Sequence, residues 1–192
     1  MSRGETQKKY QIIYADPPWS YRFTSPTGSK RPNYANGASD YYETMTLEQI
    51  KALPVQEISD KNSALFLWAT NPMMPEAFEV MEAWGFRYKT LLTWHKERCK
   101  GMGYWFRGHT EHLLFGIRGD VKAFRSLNHN ILKLPVGKHS EKPEEFRDLI
   151  DEATPNMNPK IELFSRKKVL GWDAWGNEVE SDITLETNHG ER

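Results

Sequence analysis

The chain has 192 residues, and its 26 Lys and Arg are balanced by 26 Asp and Glu. That length accommodates one α/β domain with a sizeable core, and the zero net charge excludes attraction of a polyanion by overall charge, leaving only a local patch to do it. The single Cys99 excludes an internal disulfide and fits a reducing compartment; no apolar run approaches the roughly 20 residues that span a bilayer, and none follows Met1-Ser2-Arg3-Gly4, so the expectation is a cytoplasmic chain without a signal peptide or membrane contact.

Tyr10 to Ala15 predicts a first strand, apolar on both faces as a buried parallel strand requires. Asp16-Pro17-Pro18-Trp19 follows it directly. Residues 20 to 40 are rich in Ser, Pro, Gly and Asn and predict one long loop, a length that in compact domains signals function or disorder. Thr46-Leu47-Glu48-Gln49 is a capping box opening a helix that continues through Ile50 and Leu53 to Pro54. Ala64 to Ala69 predicts a second buried strand. Pro75 to Trp84 predicts a helix with Ala77, Phe78, Met81 and Trp84 on its apolar side and Gly85 as its stop. Phe86 to Trp94 and His112 to Ile117 predict two more strands, separated by a basic, glycine-bearing loop. Pro143 to Ala153 predicts a helix with proline in its first turn and Phe146, Leu149 and Ile150 inward. Lys160 to Ser165 predicts a last strand, and the polar stretch 179–192 reads as a flexible tail. Strands alternating with helices, with no repeat and no linker, indicate a single three-layer α/β domain over residues 1–178 around a mostly parallel sheet. Ligands of such sheets bind beyond the carboxyl ends of the strands, which is where Asp16 falls.

The tetrapeptide has the parts to hold a flat base by its exocyclic amine. An adenine amine is a poor nucleophile because its lone pair is delocalised into the ring. Two acceptors aimed at its N–H groups, the Asp16 carboxylate and the Pro17 carbonyl, favour the pyramidal geometry needed for attack and stabilise the positive charge that develops on nitrogen. Pro17 and Pro18 fix φ and remove two donors, so the carbonyls face outward. Trp19 offers a ring face, and base–aromatic stacking is worth roughly 1–3 kcal/mol, against a cost of about a few kcal/mol for taking a base out of a duplex.

The chain resembles the family that contains the catalytic subunit of the eukaryotic messenger-RNA adenosine N6-methyltransferase and small bacterial and phage DNA adenine methyltransferases. Besides Asp16-Pro17-Pro18-Trp19, the resemblance is carried in order by Tyr42-Glu43-Thr44-Met45-Thr46, Leu65-Phe66-Leu67-Trp68, Trp94-His95-Lys96, Gly108-His109-Thr110-Glu111-His112, His139-Ser140-Glu141-Lys142-Pro143, Lys160 to Arg166, and Gly171-Trp172 through Gly176-Asn177-Glu178. It implies a Rossmann-like methyltransferase fold in permuted order, with the catalytic motif ahead of the cofactor motif, and S-adenosyl-L-methionine as methyl donor. It further implies that Asp16, Pro17, Pro18 and Trp19 are catalytic, with Asp16 beside the methyl; that Trp19 and Tyr42 touch the base; that Lys142 reaches the cofactor carboxylate, Arg166 and Asn177 its ribose, and Glu178 its adenine. The glycine-rich turn of many related DNA enzymes is replaced by Phe164-Ser165-Arg166. The resemblance implies adenine N6 methylation of DNA, favoured because the chain holds little beyond a catalytic core. RNA methylation and a catalytically silent, nucleic-acid-binding partner role stand as alternatives.

Two further features carry chemistry. His109-Thr110-Glu111-His112 falls one residue short of a His-x-x-Glu-His zinc pattern, so no metal is expected; Glu111 and His112 are instead expected to open a strand near the site and orient neighbours by hydrogen bonds. Arg87, Lys89, Lys96, Arg98, Lys100 and Arg107 crowd one stretch of sequence around Tyr104, Trp105 and Phe106. Lys96, Arg98 and Lys100 are the expected substrate contacts, drawing phosphate while the aromatics stack bases or form a contact with a second copy or partner subunit.

Overall fold

A computed structural model describes residues 8–20, 44–98, 105–124, 129–137 and 141–185. Tyr42, Cys99, Lys100, Tyr104 and the expected loop from residue 21 lie outside them. The strands are β1 (Tyr10–Ala15), β2 (Ser59–Thr70), β3 (Arg87–Glu97), β4 (Thr110–Arg118), β5 (Ile131–Pro135), β6 (Lys160–Leu163) and β7 (Asp173–Trp175). The helices are α1 (Leu47–Lys51), α2 (Val55–Ile58), α3 (Met74–Ala83) and α4 (Glu145–Ala153).

The strands form one seven-stranded sheet in the order β5-β3-β4-β2-β1-β6-β7. β4 runs antiparallel to both β2 and β3; the remaining pairings are parallel. The sheet is therefore mostly parallel with a helix layer on each face, the Rossmann-like arrangement expected from the sequence. Side chains alternate between faces along each strand. Ile13, Leu65, Leu67, Leu114 and Ile161 pack with α1, α2 and α3 on one face, and Ile12, Tyr14, Phe66, Trp68, Trp94 and Leu113 pack with Phe146 and Ile150 of α4 on the other.

β1 is the hinge of the topology. The chain leaves it for β2 on one side and returns much later to β6 on the other. The crevice between those two departures opens at the carboxyl end of β1, where sheets of this kind bind ligands, and Asp16 is the next residue.

Several boundaries differ from the sequence reading for physical reasons. α1 has its capping box in place, with Thr46 Oγ1 accepting from Gln49 N and Gln49 Oε1 accepting from Thr46 N, yet it closes at Ala52. Phe78 is 39% exposed and forms an edge-to-face pair with Tyr88, so it belongs to the rim of α3; Val80 takes the core position. The expected tail begins as packed chain: Asp182 accepts from Ala174 N at 2.8 Å, and Leu185 is buried in the core. Residues 186–192 lie outside the described residues. Among those described, no helix is long and apolar enough to cross a membrane.

Candidate active site

The elbow after β1 is stitched in place by its own backbone. Trp19 N donates to Pro17 O at 2.8 Å, Met45 N donates to Pro18 O at 2.9 Å and Ser20 N donates to Met45 O at 3.2 Å. The prolines supply no N–H, so these carbonyls accept from neighbours and tie the elbow to the segment that caps α1. This bears on two of the sequence expectations. The Pro17 carbonyl already accepts one hydrogen bond and has one lone pair left for a substrate amine. Trp19 is 5% exposed and sits in the core, its Nε1 donating to Trp68 O at 3.2 Å. A large ring placed after two prolines finds more apolar area to bury beneath the elbow than above it. In this conformation Trp19 anchors the elbow and presents no open stacking face.

Asp16 keeps 32% of its side chain accessible and faces Lys142 across the crevice. Lys142 Nζ lies 2.7 Å from Asp16 Oδ2 and 3.4 Å from Glu111 Oε2, and 5.4 Å from the centre of the Trp68 ring. The other oxygen of Glu111 accepts from Lys96 Nζ, which rests over Trp94 at 4.9 Å. The result is an alternating row Asp16–Lys142–Glu111–Lys96, two anions and two cations drawn from β1, β3, β4 and the approach to α4. The sheet register makes it possible: β4 starts opposite the end of β2 and beside the end of β3, so Glu111 pairs with Thr70 and Trp94 and its side chain stands on the same face as Trp94.

The electrostatics of the row are asymmetric. Burial raises the Asp16 carboxyl above the ordinary aspartate range, with the Lys142 charge pulling the other way. Burial would also raise Glu111, but Lys142 and Lys96 outweigh it and hold that carboxyl low. Burial works against the charged form of Lys142, and Asp16 and Glu111 overcome it, so its ammonium is raised. Asp16 Oδ2 is engaged by Lys142, whereas Oδ1 has no hydrogen-bond partner among the described residues. Lys142 spends two of its three N–H donors on carboxylates and keeps the third. The site therefore offers one free acceptor and one free cationic donor side by side.

Beneath the row lies a buried support that sequence reading missed. Trp68 Nε1 donates to Tyr14 Oη at 2.7 Å, and the Arg147 guanidinium lies 5.8 Å from the Tyr14 ring centre and 2.8 Å from Glu162. The available signal was Glu162, a charge inside the apolar run Lys160 to Leu163, which burial demands be paired. His112 has a similar supporting role: its Nε2 meets Asn71 Oδ1 at 2.8 Å and its Nδ1 meets Thr93 Oγ1 at 3.1 Å, as expected of a residue that orients neighbours.

The far end of the crevice is formed where β6 stops. Phe164 takes φ 63°, the left-handed turn usually given to glycine. It is held there by edge-to-face packing on Trp175 and by Ser165 N donating to Trp175 O at 3.0 Å. A Cβ on Gly176 would come within 2.1 Å of Ser165 O, so only glycine lets the two backbones cross. The crossing sets Arg166 next to Glu178, Nε to Oε1 3.4 Å, with Asn177 exposed between them. Arg166, Asn177 and Glu178, twelve residues apart in sequence at most, thus share the carboxyl edge of β6 and β7.

The basic crowd seen in the sequence divides in space. Lys96 is committed to Glu111 inside the site and is not a free surface cation. Arg98 is exposed just past the end of β3 with φ 55°. Arg87 and Lys89 sit at the opposite end of the same strand, about 30 Å from Arg98 at roughly 3.3 Å per residue. Trp105 and Phe106 are 86% and 90% exposed, beside the exposed Arg107.

The MT-A70 family model matches residues 10–178, from the first residue of β1 to Glu178. The chain is 35% identical over 185 residues to the type II methyltransferase M.MunI of a Mycoplasma, covering 90% of this chain and 79% of that protein. It is 27% identical over 182 residues to the human N(6)-adenosine-methyltransferase catalytic subunit METTL3, covering 90% of this chain and 28% of that protein, and 26% identical over 194 residues to the human N(6)-adenine-specific methyltransferase METTL4, of which it covers 38%. It thus spans most of the bacterial relative and about a quarter to two-fifths of the human ones. A match that begins at β1, takes in the carboxylate elbow and its lysine, and ends at the crossing of β6 and β7 covers the whole candidate site: the chain belongs to the MT-A70 family.

Proposed function

We propose that this protein transfers a methyl group from S-adenosyl-L-methionine to the N6 amine of adenine in DNA. The observation that carries the reading is the Asp16 carboxylate at the carboxyl end of β1, one oxygen held by Lys142 and the other open to an amine. Asp16 Oδ1 accepts one N–H of the target amine and the second lone pair of Pro17 O accepts the other. Both become stronger partners as positive charge develops on N6, which is the differential stabilisation that lowers a barrier. Lys142 opposes the burial that favours the neutral acid of Asp16.

The residues present fit the cofactor. The third donor of Lys142 suits its carboxylate, Arg166 and Asn177 suit ribose hydroxyls, and Glu178 suits the amine of its adenine. When bound, S-adenosyl-L-methionine supplies an electrophilic methyl on a sulfonium. Holding two reactants in line supplies much of the rate in such a transfer, and the linked ion pairs from Lys96 to Asp16 fix the carboxylate's position beside the crevice. Tyr42, Arg98 and Lys100 complete the reading as contacts of the nucleic acid. The DNA assignment is supported by the higher identity to the bacterial type II methyltransferase, 35%, than to the adenosine methyltransferase METTL3, 27%. Incubation with labelled S-adenosyl-L-methionine and, separately, single-stranded DNA, duplex DNA and RNA tests it. Label in DNA is the expected result; label in RNA alone overturns the DNA assignment, and no label in any adenine polymer overturns the function.

A further inference from the structure

A cavity of about 460 Å³ lies on the α4 face of the sheet and runs from Phe66 and Leu92 back towards Lys89 and Ile117, away from the carboxyl end of β1. Phe66 and Phe115 form its floor, Leu92 and Leu149 its walls, and Phe124 stands edge-on to Phe115 with ring centres 5.3 Å apart. On β2, Phe66 is paired with Tyr14, two residues before Asp16, and is four residues short of Thr70, so this inner end of the cavity is about 7 Å along the strands from Asp16 and about 13 Å from the level of Glu111, at roughly 3.3 Å per residue. The volume is typical of small-molecule sites, about 300–1,000 Å³, so the cavity is large enough to hold a ligand of its own.

The chemistry of the lining narrows what that ligand is. The buried part of the lining is apolar; the polar side chains Thr90 and Asn130 lie at its exposed edge, and the Asn130 amide already reaches Leu91 O at 3.5 Å. A nucleobase, with several donors and acceptors on its edges, would be left with unpaired polar groups there, each of them costly. The rim is different: it carries Lys89, Lys122 and His129, and among the described residues none of the three has an acidic partner. An apolar interior under a rim of uncompensated cations is complementary to a molecule with an apolar body and one anionic head.

We infer that this cavity is a binding site for a medium-chain carboxylate, its hydrocarbon body among Phe66, Leu92, Phe115 and Leu149 and its carboxylate at Lys89 and Lys122. The inference does not rest on the methyltransferase reading, since no residue of the cavity belongs to the catalytic row. Titration calorimetry of the full chain with sodium dodecanoate below its micelle concentration tests it. Dodecan-1-ol and dodecyltrimethylammonium serve as neutral and cationic controls of the same body. The expected result is one saturable equivalent of dodecanoate, at least tenfold weaker binding of both controls, and a rise in melting temperature with dodecanoate. Lys89→Glu with Lys122→Glu weakens dodecanoate at least tenfold while leaving methyl transfer without dodecanoate unchanged. Ala153→Phe, which fills the mouth from the end of α4, abolishes binding. Should Ala153→Phe fail to fold, the exposed charge variants still decide. Dodecanoate that binds no better than dodecan-1-ol, binds without saturation, or binds the charge-reversed protein equally overturns the inference.

Discussion

Asp16 is useful only as a carboxylate, and its surroundings work against that state. Burial raises its pKa and Lys142 lowers it again, so activity is expected to fall as pH drops through a value above the usual aspartate range of about 3.9. Replacing Lys142 by Met removes the opposing charge. The acid limb of the kcat/KM profile should then move to higher pH, in addition to a loss of cofactor affinity; a limb that stays in place would show that Lys142 does not set the ionisation of Asp16. Glu111 behaves in the opposite way. Its folded pKa is lowered by Lys142 and Lys96, so its ionised form contributes stability that is present above the unfolded value of about 4.3 and lost as pH falls through the lower folded value. Glu111→Gln should cost about 1–3 kcal/mol at pH 7, the range for a lost bond to a charged group. In urea titrations the gap from the parent protein should shrink below about pH 4. A gap that is constant with pH would argue that Glu111 acts through shape and not charge.

At the scale of elements, the site depends on two turns with unusual backbones. Phe164 and Gly176 bring the ends of β6 and β7 together, and Gly176→Ala forces a methyl to within 2.1 Å of Ser165 O. Overpacking of that kind costs roughly 1–3 kcal/mol. The chain should melt at lower temperature and lose S-adenosyl-L-methionine affinity by more than its stability loss explains, because Asn177 and Glu178 move with the turn. An alanine variant with parental affinity would place the cofactor elsewhere. These turns also mark where sequence reading stops. β1, the core of β2 and α4 were legible because Tyr10 to Ala15, Ala64 to Ala69 and Phe146 to Ile150 repeat apolar residues at strand or helix period. β5 was not, since Ile131 to Pro135 alternates over five residues, is half exposed and ends in proline. β7 has three residues, too few for a period. The reversal of β4 was invisible because an apolar run carries no direction. At the site, Asp16 and Lys142 were legible as motif residues, but their direct contact across 126 positions was not, and neither was the burial of Trp19.

For the molecule as a whole, zero net charge means that a polyanion is held by a local surface only. The row from Asp16 to Lys96 is internally neutral, and Arg98 and Arg107, described residues exposed at its margin, are cations available to meet phosphate. Reversing both, Arg98→Glu with Arg107→Glu, should weaken nucleic-acid binding and reduce the slope of log affinity against log salt by about two, close to one per contact removed. An unchanged slope would move the nucleic acid to another face. Trp105 and Phe106, both exposed at this margin, extend the same surface with stacking area. The central claim, an Asp16 carboxylate that engages an adenine amine, is tested most directly by the product. DNA treated with the protein and S-adenosyl-L-methionine is digested to nucleosides and analysed by mass spectrometry, beside DNA treated with Asp16→Ala. The account predicts N6-methyldeoxyadenosine from the parent protein and at least about 10²-fold less from the variant. Methyl groups found on any other atom, or equal N6-methyldeoxyadenosine from Asp16→Ala, would contradict it.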